Sequence, residues 1–127
     1  MPPFTITNTT RSPYPRLPYE AMKHDVLGAS YSLSLVFVGD RRARALNLAN
    51  RGKLYVPNVL SFPLDETHGE IFIAPSVARR EAKKFNMTPR GYIGFLFIHG
   101  LLHLKGLEHG DTMESVEKTY CTRYNLA

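Results

Sequence analysis

The chain is short of cysteine: 127 residues hold one, Cys121. That excludes an internal disulfide and a C-x-x-C site, and leaves Cys121 as a small residue expected in a C-terminal helix. Long apolar runs are also lacking, and none reaches the ~20 residues of a membrane span. The opening Met1-Pro2-Pro3-Phe4-Thr5 has no basic region leading into an apolar stretch, so no signal peptide is expected. These absences fit a reducing, cytoplasmic setting. No internal repeat, low-complexity tract or linker divides the chain. Its length suits one domain over residues 1–127, able to bury roughly two thirds of its unfolded surface. Acidic residues are scarce beside basic ones: Asp and Glu number 11 against 16 Lys and Arg, a net charge of +5. The excess favours a polyanionic partner. It gathers at Arg41, Arg42 and Arg44, at Arg51 and Lys53, and at Arg79, Arg80, Lys83 and Lys84. Such clusters serve equally as solvated helix faces.

Proline is concentrated at the start, where residues 2–18 hold five of the nine. This stretch is expected to be extended, with a strand over Phe4–Thr7 by alternation. Residues 18–27 read as a short helix closed by Gly28, with Leu17, Met22, Val26 and Leu27 inward. Ser32–Val38 is apolar and β-branched enough for a strand. Asp40 suits the N-cap of a helix from Arg41 to about Asn50, with Ala45 and Leu48 among its apolar positions. Asn58–Phe62 and Glu70–Ile73 read as two more strands. Ser76 suits the cap of a helix running to Phe85. Thr88-Pro89 pairs a capping residue with proline at the first helical position. The helix it opens is apolar nearly all round, through Tyr92, Ile93, Phe95, Leu96, Phe97, Ile98, Leu101 and Leu102, which marks it as central and buried. Asp111 and Glu114 form a capping-box-like start for a last helix to about Arg123. The resulting class is α+β: a small four-stranded mixed sheet packed with about five helices.

Against this background, three of the five histidines fall in one window, His99-Gly100-Leu101-Leu102-His103-Leu104-Lys105-Gly106-Leu107-Glu108-His109. Four helical residues turn the chain by about 400°, so His99 and His103 share a face ~6 Å apart along the axis. His109 cannot reach them from the same straight helix. Gly106 resolves this, because glycine adopts φ > 0 cheaply and commonly ends helices. Three histidines with an open fourth position form the catalytic rather than the structural pattern for zinc. Nickel, copper and iron also accept imidazole. Left without a shared partner beside Ile98, Leu101, Leu102 and Leu104, three imidazoles would be costly to bury. The spacing nearly spells the metzincin motif H-E-x-x-H-x-x-G-x-x-H. Its glutamate, the general base beside zinc in those peptidases, is replaced by Gly100. A carboxylate placed at position 100 is expected to lie beside the metal.

The run His99–His109 resembles the HGxLHLxGYDH signature of the YbeY endoribonucleases, rRNA maturation factors of bacteria. Leu46-Asn47, Arg51-Gly52-Lys53 and Asn58-Val59-Leu60-Ser61-Phe62-Pro63 resemble that family's LN..YRGK…T(D/N)VLSFP segment. Gly69-Glu70-Ile71-Phe72-Ile73 looks like its GD(I/L)xI strand. Departures are Pro57 for threonine, Glu70 for aspartate and Leu107-Glu108 for Tyr-Asp, and the chain is shorter than most members between Pro63 and Gly69.

The resemblance implies a single metal-dependent, single-strand-specific endoribonuclease domain. Its implied roles are rRNA maturation at the 16S rRNA 3′ end and ribosome quality control, with the ribosomal small subunit as a partner and neither membrane nor DNA. It implies one Zn2+ on His99, His103 and His109. Arg51 matches the family's essential arginine and Lys53 the basic residue nearby. Ser61, on the matching strand, is a candidate for contact with RNA or with the groups behind the ligands. A guanidinium suits phosphate because it donates two parallel hydrogen bonds and stays charged. With no glutamate at position 100, water and the RNA 2′-hydroxyl stand as alternative nucleophiles. Tyr55 is the one aromatic beside basic residues that suits base stacking. Two other classes remain: a small zinc metallopeptidase-like hydrolase, and a non-catalytic ribosome-associated RNA-binding protein with a structural metal. His24 and His68 stand apart, as ordinary surface histidines.

Overall fold

A computed structural model of the protein describes residues 3–127, so Met1 and Pro2 of the proline-rich opening lie outside the described residues. Nine elements follow in order: β1 (Phe4–Asn8), α1 (Tyr19–Leu27), β2 (Ser32–Phe37), α2 (Asp40–Arg51), β3 (Val59–Asp65), β4 (His68–Ile73), α3 (Pro75–Lys84), α4 (Pro89–Lys105) and α5 (Asp111–Arg123). The strands form one mixed sheet in the order β1-β2-β4-β3. β1 and β4 flank β2 in parallel, while β3 pairs antiparallel with β4 across a short turn.

The period-2 geometry of strands sorts the core into two layers. Leu33, Leu35, Phe37, Ile71 and Ile73 face α1, α4 and α5, where Met22, Phe97, Ile98, Leu101 and Met113 are buried. Val36 and Phe72 face the other way, onto Ala43 of α2 and Val77 of α3. The C-terminal halves of β2 and β4 are therefore covered on both sides, which is why Leu35–Phe37 and Ile71–Ile73 are continuously apolar while the serines of β2 and His68 and Glu70 of β4 precede them. Helix α4 is the centre of the larger layer, as its all-round apolarity requires.

Local signals differ from the sequence expectation at three helix starts. Gly39, Ala74 and Gly110 hold the N-cap positions of α2, α3 and α5, none with a side-chain cap bond. Asp40, Ser76 and Asp111 each lie inside the first turn. The Ser76 hydroxyl instead accepts from Arg80 Nη1 at 2.9 Å. Thr88 does cap α4, its hydroxyl accepting from the Gly91 N–H at 3.0 Å. The phase of α2 also differs. Ala43 and Asn47 are its buried residues, whereas Ala45 and Leu48 are exposed. Asn47 is drawn inward because its amide donates to the Tyr55 carbonyl at 3.0 Å.

Candidate metal centre

Helix α4 ends where the chain turns through Gly106, in the left-handed region at φ 106°. The Gly106 and Leu107 N–H groups donate to the His103 and Leu102 carbonyls, both at 3.0 Å. This is a Schellman closure, completed as Leu107 packs back on the core. It returns His109 to the end of the helix. The imidazole centroids form a near-equilateral triangle, 4.6 Å for His99–His103 and 4.9 Å for each pair with His109. One nitrogen from each ring lies within 4.8 Å of the others.

The other nitrogens of two rings are engaged. His99 Nδ1 lies 2.7 Å from Glu117 Oε2, and His103 Nδ1 lies 3.1 Å from the Leu107 carbonyl oxygen. A carboxylate and a carbonyl only accept, so each Nδ1 carries the proton. With both rings neutral, as metal ligation requires, the two Nε2 atoms face one another across 3.1 Å with their lone pairs. Two confronted lone pairs repel unless a cation joins them. Their separation is close to the about 3.3 Å expected between imidazole nitrogens on tetrahedral zinc with Zn–N about 2.0–2.1 Å. Burial first, then the neighbouring His99 and His109, holds the His103 pKa below its ordinary value. His103 is thereby kept in the neutral form that ligates. The three histidines fit a divalent metal, with Glu117 and Leu107 behind them in the places that orient ligating imidazoles.

The triad opens on a cleft of ≈ 1040 Å³ between α4, α5, β3 and the end of α2. Arg51 lines it as the last residue of α2, and not from the connection beyond. Its Nη1 donates to Asn47 Oδ1 and to the Tyr55 hydroxyl, each at 3.2 Å. Ser61 on β3 also lines the cleft, and its hydroxyl donates to the Gly100 carbonyl at 3.1 Å. Lys53 is exposed and outside the cleft lining, as are the clusters on α2 and α3; Lys118 of α5 is the cation that joins Arg51 on the walls. His68 pairs with Asp65 at 2.9 Å near the surface.

Position 100 differs from the motif-based expectation. A Cβ there would meet Ser61 Oγ at 2.9 Å and Ile71 Cδ1 at 3.1 Å. Gly100 is a close approach of α4 to β3 and β4, and a side chain there would be driven into the sheet. The carboxylate nearest the triad comes from Glu117 instead, 94% buried by its 6% exposure, and it stands behind His99. Sequence reasoning missed Glu117 because nothing in α5 marks which face turns to α4. Its only sequence signal is an acidic residue on a helix that follows the histidine run. Cys121 also lines the cleft, and burial pushes its thiol up to about 11, so it stays protonated at neutral pH.

The family model described as Endoribonuclease YbeY matches residues 8–124. Among curated relatives, an Endoribonuclease YbeY of Mycoplasma mycoides subsp. mycoides is 38% identical over 91 residues, covering 63% of this chain and 56% of its own length. One of Neisseria meningitidis serogroup C is 36% identical over 105 residues, covering 74% and 60%. The chain thus spans less than two thirds of the curated relatives it matches. The solution structure of the Thermotoga maritima protein TM1509 shares the fold, with TM-score 0.66 at 23% identity, over 93% of this chain and 86% of that one.

Proposed function

The chain belongs to the endoribonuclease YbeY family, and from that membership and its cleft we propose that it is a metal-dependent, single-strand-specific endoribonuclease. Its place would be rRNA maturation at the 16S rRNA 3′ end and ribosome quality control, in the cytoplasm, at the ribosomal small subunit. Residues 1–127 would act as one domain. The observation that carries the reading is the three-histidine triangle on a cleft that Arg51 also lines.

His99, His103 and His109 would hold Zn2+. Bound there, the ion supplies Lewis acidity to a phosphoryl oxygen or to water. Arg51 does the remaining electrostatic work: fixed by Asn47 and Tyr55, it presents donors to the charge on the phosphoryl oxygens in the transition state. Because it is held before substrate arrives, little reorganisation is needed. Ser61 ties β3 to the α4 carbonyl at position 100, next in the chain to the ligand His99. Lys118 and Lys53 would add attraction to the RNA backbone at longer range.

The peptidase reading needs a base at position 100, where Ser61 and Ile71 crowd any side chain. The test is a side-by-side assay of zinc-loaded protein with labelled single-stranded RNA, duplex RNA and an unstructured protein substrate. Cleavage of the first alone is expected. Cleavage of the protein substrate without RNA cleavage would sink the proposal.

A further inference from the structure

Arg51 spends Nη1 inside the protein, on Asn47 and Tyr55. Its Nε and Nη2 have no protein partner among the described residues. They form the side edge of the guanidinium, with two parallel donors that match phosphate oxygens. The same contact immobilises Tyr55. Its carbonyl accepts from Asn47 and its hydroxyl from Arg51, so it is held at both ends. Yet the residue is 54% exposed and lines the cleft. An aromatic ring fixed in advance has already lost the rotamer freedom that binding would otherwise cost. A solvated ring beside a cation is the arrangement on which nucleobases stack. Phe95 lines the cleft too, but it packs on the core and against Tyr92, with centroids 5.9 Å apart.

We infer that Tyr55 and Arg51 form one nucleotide-gripping subsite, in which an RNA base stacks on the Tyr55 ring while an adjoining phosphate takes the Nε–Nη2 edge of Arg51. This rests on the RNA reading above and gives it a physical source of strand selectivity. An unpaired base can turn a free face to the ring; a base inside a duplex has both faces covered by its neighbours. Stacking accepts any base, so the subsite selects for single strands without selecting sequence.

The probe is a set of 2′-O-methyl hexanucleotides with 2-aminopurine walked through each position, and a matching set with an abasic residue there. Integrity is checked after each titration. Wild-type protein should quench the fluorophore at one position and bind the intact oligonucleotide about 5- to 100-fold more tightly than its abasic counterpart, the order of one base–aromatic stack. Tyr55→Ala should lose the quench and bring the ratio near one. Tyr55→Leu, which keeps apolar bulk without a ring, should behave the same way. Tyr55→Phe should retain most of both signals, and it keeps the test decisive should the smaller side chains disturb the loop. Metal content and melting curves of all variants should match wild type. The subsite is overturned if Tyr55→Ala keeps quench and discrimination, if Leu serves as well as Phe, or if wild type binds intact and abasic strands equally. Failure of wild type to bind any of the oligonucleotides would overturn the RNA reading itself, and the subsite with it.

Discussion

At the scale of single residues, Arg51 and Glu117 act on different parts of the site and are separable by experiment. Arg51 hydrogen-bonds no histidine; its partners are Asn47 of α2 and Tyr55 in the segment that follows. Arg51→Ala is therefore expected to leave zinc content and melting temperature nearly unchanged while cutting RNA cleavage about 10²-fold or more, the order for one lost oxyanion donor. Arg51→Lys keeps the charge without the planar fork and should recover activity only in part. A wild-type cleavage rate for Arg51→Ala would remove it from the mechanism. Glu117→Gln should do the opposite. Gln can still accept from His99 Nδ1, but without the charge that raises imidazole basicity. Zinc affinity, measured by competition with a chromophoric chelator, should fall about 10- to 100-fold, as for other groups behind metal ligands. An unchanged affinity would show that Glu117 is no more than a buried acid.

Among the elements, α4 does two jobs, and Gly100 is where they meet. One face carries His99 and His103; position 100 presses on β3 and β4. Overpacking at such a site costs about 1–3 kcal/mol, so Gly100→Ala should lower the unfolding free energy from urea titration by that amount. Gly100→Glu should lower it further and should gain no casein cleavage. A well-folded, zinc-loaded Gly100→Glu that cleaves casein but not RNA would reverse the assignment of class. Helix α5 depends on a second tie. Asp25 of α1 accepts from the Tyr124 hydroxyl and from Arg123 Nη1. The Tyr124 hydrogen bond, then Arg123, holds the Asp25 carboxyl below the usual aspartate range. A depressed carboxyl stabilises the fold above its unfolded pKa of about 3.9, and that part is lost as pH falls through the lower folded value. Asp25→Asn should therefore melt below wild type at pH 6, and the gap should close as both are acidified past the ordinary aspartate range. A gap that persists at pH 2 would mean that the tie is not electrostatic.

For the molecule as a whole, the triad joins the end of α4 to α5 through Glu117, and to the turn that carries His109. Metal binding should thus stabilise the native state in proportion to its occupancy, since an unfolded chain offers no preformed site. At free zinc a thousandfold above Kd the gain is about 4 kcal/mol. Chelation should lower the melting temperature by several degrees and leave far-UV circular dichroism intact, because the two apolar layers of the sheet lie outside the triad. Loss of secondary structure on chelation would mean that the metal is structural. A melting temperature indifferent to zinc would count against a metal centre at the triad.

The sequence alone was enough for whatever depends on spacing along the chain. His99 and His103 must share a helix face, Gly106 must end that helix, and an apolar surface without gaps must make α4 central. The strands and helices followed for the same reason, since periods of 2 and 3.6 residues are local properties. Contacts between elements were decided by the tertiary structure. Asn47 took the buried side of α2 from Leu48 because a backbone carbonyl at Tyr55 needed its amide. Gly39, Ala74 and Gly110 displaced the better capping side chains because the chain's path into each helix set the cap. Glu117 reached His99 only through the docking angle of α5 on α4, and position 100 was closed by a sheet more than twenty-five residues away in the chain. Periodicity says which residues lie on one face; only the packed fold says what that face meets.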